Sequence, residues 1–180
     1  MRHVEAHRPP ILAIDPGKTA LGWAYFGEAG LLFVAGVLRS EGSRTPGGDS
    51  VAEVARGLMR QLVQALGPLP AVVSLVVEKM KVYPGPQQKG DQNDLIDLSY
   101  ISGGVHALPS VWNAERVTLV HPHAWKGQVP KAIMAQRIER SLNELEVKLV
   151  HASLQGVPEG LRHNGWDAVG IGLWSQGRLK

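Results

Sequence analysis

The sequence predicts an α/β domain built on a mixed five-stranded sheet, three antiparallel strands plus two parallel ones, with helices on both faces. In roughly the first 40 residues, three short apolar segments are separated by turn residues, which predicts hairpin-linked strands. Further along, segments with helical spacing alternate with short apolar runs, which predicts parallel strands joined by crossover helices. A length of 180 residues, 44% of them hydrophobic, is typical of one globular domain.

The composition excludes several classes of protein. The chain has no cysteine, so it has neither a disulfide framework nor a thiolate metal site. No apolar run approaches the roughly 18 residues of a membrane span. The polar N-terminus does not resemble a signal peptide. We therefore expect a flexible tail over residues 1–9, a single domain over 10–180, no membrane partner and a cytoplasmic location.

The first predicted strand, residues 11–14, leads directly into Asp15. Pro16 and Gly17 then predict a tight turn, because Pro fixes φ and Gly accepts positive φ. Asp15 therefore has two interpretations, a residue that caps the turn or a carboxylate held at the sheet edge. Two more strands are predicted over 21–26 and 31–38, with a hairpin loop over 27–30.

The second acid follows the predicted central strand. Ser50 and Glu53 form a capping-box pattern before a helix that ends at Gly67. The β-branched run at 72–77 then predicts a strand buried on both faces, and it ends in Glu78. A solvent-facing Glu is common at a strand end, but its placement matches that of Asp15.

The segment over residues 79–93 is predicted to be a long loop. It carries three lysines and an aromatic residue, namely Lys79, Lys81, Lys89 and Tyr83. Basic charge next to an aromatic side chain suits contact with nucleic acid. A disordered connector is the alternative interpretation of a loop of this length.

The remaining elements follow from helical spacing and turn residues. We predict a helix over 95–108, a strand over 116–120, a loop over 121–127, a helix over 131–146 with Ile133, Met134, Ile138, Leu142 and Leu145 buried, a turn-rich linker over 155–160 and a last helix from 163 to 174. Asp94 and Asp97 are expected to favour a helix N-terminus rather than to form a site. Asp167 lies near the start of the last helix, four residues after His163, so the two share a helix face if that turn is helical.

Three motifs in this order resemble those of the RuvC-type Holliday junction resolvases, which have an RNase H-like fold. They are Ile14-Asp15-Pro16-Gly17 with Thr19 and Gly22, then Val76-Val77-Glu78, then Asp167-Ala168. The resemblance covers residues 10–173. It implies a homodimeric endonuclease, dependent on Mg²⁺ or Mn²⁺, that binds four-way junction DNA and nicks it symmetrically.

The resemblance also implies site residues. Asp15, Glu78 and Asp167 match the family's catalytic, metal-binding acids. The family commonly has a fourth ligand three residues before the last Asp, where this sequence has Asn164. We favour the preceding residue, His163, as the fourth member. Lys126 and Lys131 resemble the family's basic residues near the scissile phosphate. Tyr83 is the candidate for an aromatic residue that stacks at the junction centre, with Met80 as its alternative.

The chemistry of phosphodiester hydrolysis favours the same acids, independently of the resemblance to the family. Two divalent ions about 3.5–4 Å apart can activate a water molecule and stabilise the leaving oxygen of a phosphodiester. Carboxylate oxygens are the ligands that Mg²⁺ prefers, so we expect Asp15 to bridge two ions and Glu78 and Asp167 each to complete one. Without metal, clustered carboxylates repel one another and are expected to be partly protonated.

Three alternative functions stay open at this point. The first is an RNase H-like nuclease that cuts RNA or another branched DNA. The second is a protein that binds junctions without cutting them. The third is a phosphate-binding lobe of a sugar-kinase or actin-like ATPase, whose first loop also reads Asp-x-Gly-x-Thr. That lobe needs a second one, and it gives Glu78 no role.

Overall fold

The computed structural model describes residues 8–40, 51–67, 74–80, 92–112 and 114–179. It contains a five-stranded sheet in the order β3-β2-β1-β4-β5. The strands are β1 (Ile11–Asp15), β2 (Ala20–Phe26), β3 (Leu32–Arg39), β4 (Ser74–Glu78) and β5 (Arg116–Val120). The predicted capping residue Ser50 and the first residues of the predicted run 72–77 lie outside the described residues.

The strand directions place two acids side by side. β1 pairs antiparallel with β2, and β2 with β3, whereas β1 pairs parallel with β4, and β4 with β5. Ile14 is the register partner of Val77. Because parallel strands end at the same edge of a sheet, the next residues, Asp15 and Glu78, emerge there together. The predicted fold class is confirmed.

Helices cover both faces of this sheet. They are α1 (Val51–Leu66), α2 (Gln92–Ala107), α3 (Pro109–Trp112), α4 (Pro122–Lys126), α5 (Lys131–Arg140), α6 (Glu144–Leu154) and α7 (Glu159–Ser175). Alternation along β1 divides the core: Leu12 and Ile14 pack in the cluster that includes α1 and α2, and Ile11 and Ala13 pack in the cluster that includes α7.

Glycines let α7 lie close against the sheet. A Cβ on Gly172 would overlap the ring of Phe26, and one on Gly170 would lie 2.6 Å from the ring of Trp125. On the strand side, a Cβ on Gly22 would overlap the backbone carbonyl of Asn164. Gly22 is the register partner of Asp15. The close approach at Gly22 therefore fixes where α7 crosses the sheet relative to Asp15.

The prediction of a single helix over 131–146 is wrong, because the chain forms two helices, α5 and α6, with a break between them. The Asn143 side chain accepts hydrogen bonds from the Leu145 and Glu146 amides, and the Glu146 carboxylate accepts one from the Asn143 amide at 2.9 Å. This capping box begins a new helix and so ends the old one. Rotation of the new helix leaves Leu145 76% exposed, and Ile133 on α5 is 50% exposed, so neither is a core residue as predicted.

Two other boundaries differ from prediction. The predicted loop at 121–127 contains α4, with Pro122 at its first turn, where the missing N–H is no loss. α7 begins at Glu159, four residues earlier than predicted, and shortens the expected linker at 155–160. His163 and Asp167 are consequently both helical and share a face of α7.

The ends of the described chain are tied to the domain. The Pro9 carbonyl accepts a hydrogen bond from the Gln176 side chain at 3.1 Å, although Pro9 falls in the predicted tail; residues 1–7 lie outside the described residues. Arg178 donates to both carboxylate oxygens of Glu146, at 2.7 and 2.6 Å. In the part of the chain that the structure describes, no helix has the length and apolar character needed to cross a membrane.

Candidate active site

Three carboxyl groups converge at one edge of the sheet. Asp15 is the last residue of β1, Glu78 is the last residue of β4, and Asp167 lies on the part of α7 that follows its contact with Gly22. Asp15 is only 8% exposed. The side chains of Glu78 and Asp167 are 13% and 17% exposed. The structure thus brings together the three acids that the sequence singles out.

The electrostatics of Asp15 follow from this crowding. Burial raises the pKa of the Asp15 carboxyl group well above its ordinary value. The charge of Glu78, a hydrogen bond with Glu78 and the charge of Asp167 raise it further, and only Lys126 acts in the opposite direction. The pKa of Asp167 is also raised, chiefly by burial, against the lowering effect of Lys126. Asp15 and Asp167 therefore keep their protons to a higher pH than separate, exposed carboxyl groups would.

Lys126 contacts two of the acids directly. Its Nζ atom lies 3.1 Å from Glu78 Oε1 and 3.7 Å from Asp167 Oδ2. Burial lowers the pKa of Lys126, but the nearby charges of Glu78 and Asp167 outweigh that effect and the net shift is upward. The ammonium group is thus charged and bridges the two carboxylates.

Trp125 supports Glu78 from the other side. Its indole Nε1–H donates to the same Glu78 Oε1 at 3.0 Å. The ring is buried, and Lys126 Nζ lies 4.8 Å from its centroid. The Trp125–Lys126 pair on α4 therefore fixes the Glu78 carboxylate. Trp125 falls in the predicted loop over 121–127, and nothing local in the sequence shows that its indole reaches a carboxylate 47 positions away.

A cleft of about 410 Å³ opens beside the acids. Its lining comprises Asp15, Lys126, Val129, Lys131, Met134, His163, Asn164 and Asp167. Both candidates for the fourth site residue, His163 and Asn164, are thus in the cleft. Burial lowers the pKa of His163, with Lys131 acting in the same direction, so the imidazole is neutral at pH 7.

The predicted DNA-binding residues have different placements. Lys126 and Lys131 line the cleft, whereas Lys79 follows Glu78 and has an exposed side chain. Lys81, Tyr83 and Lys89 lie outside the described residues. Met80 lines a smaller pocket of about 180 Å³ that also includes Glu78.

Asp94 and Asp97 have a contact that the sequence did not suggest. Both bind Lys18 Nζ, at 2.8 and 2.6 Å. Lys18 belongs to the turn that follows Asp15, so this pair of ion pairs connects α2 to the turn beside the acids. These ion pairs support the turn that follows Asp15 but are not part of the site itself.

The donor set fits a hard divalent cation in kind, since three carboxyl groups offer oxygen ligands and a neutral imidazole lies in the same cleft. The side chains are not, however, spaced as the ligands of one bound ion are. Among the described residues, no three His, Asp or Glu side chains are grouped so that they could hold an ion together. The ammonium group of Lys126 bridges two of the carboxylates instead.

Comparisons with known proteins give structural matches alone. No family model matches the chain, and no curated protein matches it in sequence. Thermus thermophilus RuvC in complex with a Holliday junction substrate superposes with a TM-score of 0.52 at 15% identity, covering 96% of this chain and 99% of that one. A second Thermus thermophilus RuvC structure gives 0.53 at 17% identity, covering 95% and 98%.

A third match comes from a eukaryotic organelle. The yeast mitochondrial Holliday junction resolvase Ydc2 gives a TM-score of 0.56 at 13% identity, covering 94% of this chain and 79% of that one. Matches of this kind establish shared architecture over nearly the whole chain. The protein has the RNase H-like fold of the RuvC-type Holliday junction resolvases.

Proposed function

We propose that this protein is a divalent-metal-dependent endonuclease that resolves four-way DNA junctions by paired, symmetric nicks. The observation that carries the proposal is the convergence of Asp15, Glu78 and Asp167 beside a cleft that also holds Lys126 and Lys131. Phosphodiester hydrolysis needs concentrated negative charge for metal ions and positive charge for the phosphate, and this edge of the sheet provides both.

Each residue has a proposed task. Asp15, Glu78 and Asp167 would hold Mg²⁺ or Mn²⁺, with two ions per site, and His163 would bind an ion or orient the attacking water as a neutral imidazole. Lys131 and Lys126 would contact the phosphate that enters the cleft. Bound ions would supply an activated water and charge stabilisation for the leaving oxygen.

The test is cleavage of a synthetic four-way junction with and without Mg²⁺ or Mn²⁺. We expect Asp15→Asn to abolish cleavage while junction binding survives, because the amide keeps the shape but loses the charge. Glu139→Gln is the matched control, since Glu139 is half-exposed and pairs with His151 away from the cleft. Wild-type cleavage by Asp15→Asn would contradict the assignment, and equal cleavage of RNA would favour the RNA nuclease.

The proposed function includes a homodimer, since a four-way junction has two equivalent scissile positions related by two-fold symmetry. Support comes from an exposed apolar stripe on α2. Ile96 and Tyr100 are 56% and 55% exposed, and Gly103 and Ala107 continue the stripe at helical spacing. Apart from its chain neighbours and the backbone of α2 itself, nothing among the described residues lies within 4 Å of a Cβ placed on Gly103. A second copy of α2 can therefore approach closely and bury its own stripe.

The dimer is tested with one charge in the stripe. We expect Ile96→Glu to convert a dimer into a monomer in sedimentation analysis, because two like charges would face each other across the two-fold axis. Leu145→Glu is the control, since Leu145 is an exposed aliphatic side chain on α6. A monomeric wild type, or an unchanged dimer in Ile96→Glu, would contradict this interface.

A further inference from the structure

One cation already lies among the acids of the candidate site. Lys126 Nζ is within ion-pair distance of both Glu78 Oε1 and Asp167 Oδ2. Glu78 Oε1 also accepts the indole N–H of Trp125. Both carboxylates therefore already face a positively charged or N–H partner from the protein.

We propose that the Lys126 ammonium group is a built-in counter-cation of the acid cluster, which a divalent ion must displace in order to bind. The inference rests on the proposed function, because that function requires the ion. A divalent ion at these oxygens would lie next to the ammonium group, and the repulsion between the two cations opposes their binding at the same time. Lys126 thus competes with the metal rather than helping to hold it.

The local structure allows the displacement. Lys126 is the last residue of the five-residue helix α4, and its side chain is 30% exposed. Gly127, with φ of 59°, ends that helix. The side chain can therefore leave the carboxylates and stay in the cleft, where its ammonium group can contact a phosphate oxygen. Metal loading and phosphate contact by Lys126 become linked events.

The experiment measures Mn²⁺ binding to the full chain without DNA, by calorimetry and by the electron paramagnetic resonance signal of free Mn²⁺. We expect Lys126→Met to bind Mn²⁺ about five- to tenfold more tightly than Lys131→Met. Lys131→Met is the matched control: it removes the same charge from the same cleft, but Lys131 makes no ion pair among the described residues. Lys126→Arg keeps a cation at the position and should bind Mn²⁺ within about twofold of wild type.

Thermal unfolding provides a second readout. Mn²⁺ should raise the melting temperature of Lys126→Met more than that of wild type, because tighter binding to the folded state stabilises it more. Equal or weaker Mn²⁺ binding by Lys126→Met than by Lys131→Met would overturn the inference and leave the metal-dependent function standing. Absence of Mn²⁺ binding in all four proteins would overturn both.

Discussion

Gly22→Ala is the substitution that best tests how the fold positions the acids. A Cβ at this position would overlap the carbonyl group of Asn164 and lie 3.1 Å from the amide of Gly165. Both neighbours are backbone atoms of α7, so no side-chain rotation can make room. The helix must move away from β2, and Asp167 must move with it, away from Asp15.

The magnitude follows from overpacking and from catalytic geometry. Insertion of a methyl group into a closely packed core costs about 1–3 kcal/mol. For a domain of this size, such a loss lowers the melting temperature by about 2–12 °C. A displacement of about 1 Å at a reacting centre reduces catalysis by about 100-fold. We therefore expect a folded but less stable protein with nearly abolished junction cleavage.

The assay pairs thermal unfolding with junction cleavage and uses Gly57→Ala as its control. Gly57 lies inside α1, and apart from its chain neighbours and the backbone of its own helix no described atom lies within 4 Å of a Cβ placed there. Alanine should stabilise that helix by about 0.5–1 kcal/mol and leave cleavage unchanged. Wild-type stability and cleavage in Gly22→Ala would refute the inference that the contact at Gly22 sets the position of Asp167.

Two more predictions concern Glu146 and Trp125. Burial alone would raise the pKa of Glu146, but Arg178 and the backbone amides of Leu32 and Asn143 hold it below its ordinary value of 4.5. The ion pair therefore stabilises the fold above that pH, and its contribution is lost as the pH falls through the lowered pKa. Glu146→Gln should therefore reduce the free energy of unfolding by about 3–5 kcal/mol at pH 7 and by less at pH 3, in urea titrations. A pH-independent difference would contradict this. Trp125→Phe removes the N–H donor to Glu78 and should slow junction cleavage about tenfold with little change in junction affinity; an equal loss of affinity would show that Trp125 acts on DNA binding instead.

Much of the fold could be predicted because its determinants are local. The apolar run ending in Asp15 and the β-branched run ending in Glu78 define parallel neighbours, and their shared edge follows from strand direction alone. The break between α5 and α6 also had a local signal, since Asn143 and Glu146 have capping-box spacing. That signal was obscured because apolar residues continue across the break with helical spacing.

The contacts inside the site could not be predicted in the same way. Lys126 pairs with Glu78 and Asp167 because α4 turns back toward the sheet edge, and a five-residue helix leaves almost no periodicity in the sequence. The indole contact of Trp125 depends on the same turn. The close approach at Gly22 requires knowledge of where α7 crosses β2. These features depend on tertiary geometry rather than on local pattern.

The most direct measurement is the rate and position of cleavage on a four-way junction and on a linear duplex of the same arm sequence, each with Mg²⁺. The proposed function predicts two nicks at symmetry-related positions across the junction and little cleavage of the duplex. Equal cleavage of both substrates, or none of the junction with either Mg²⁺ or Mn²⁺, would contradict it.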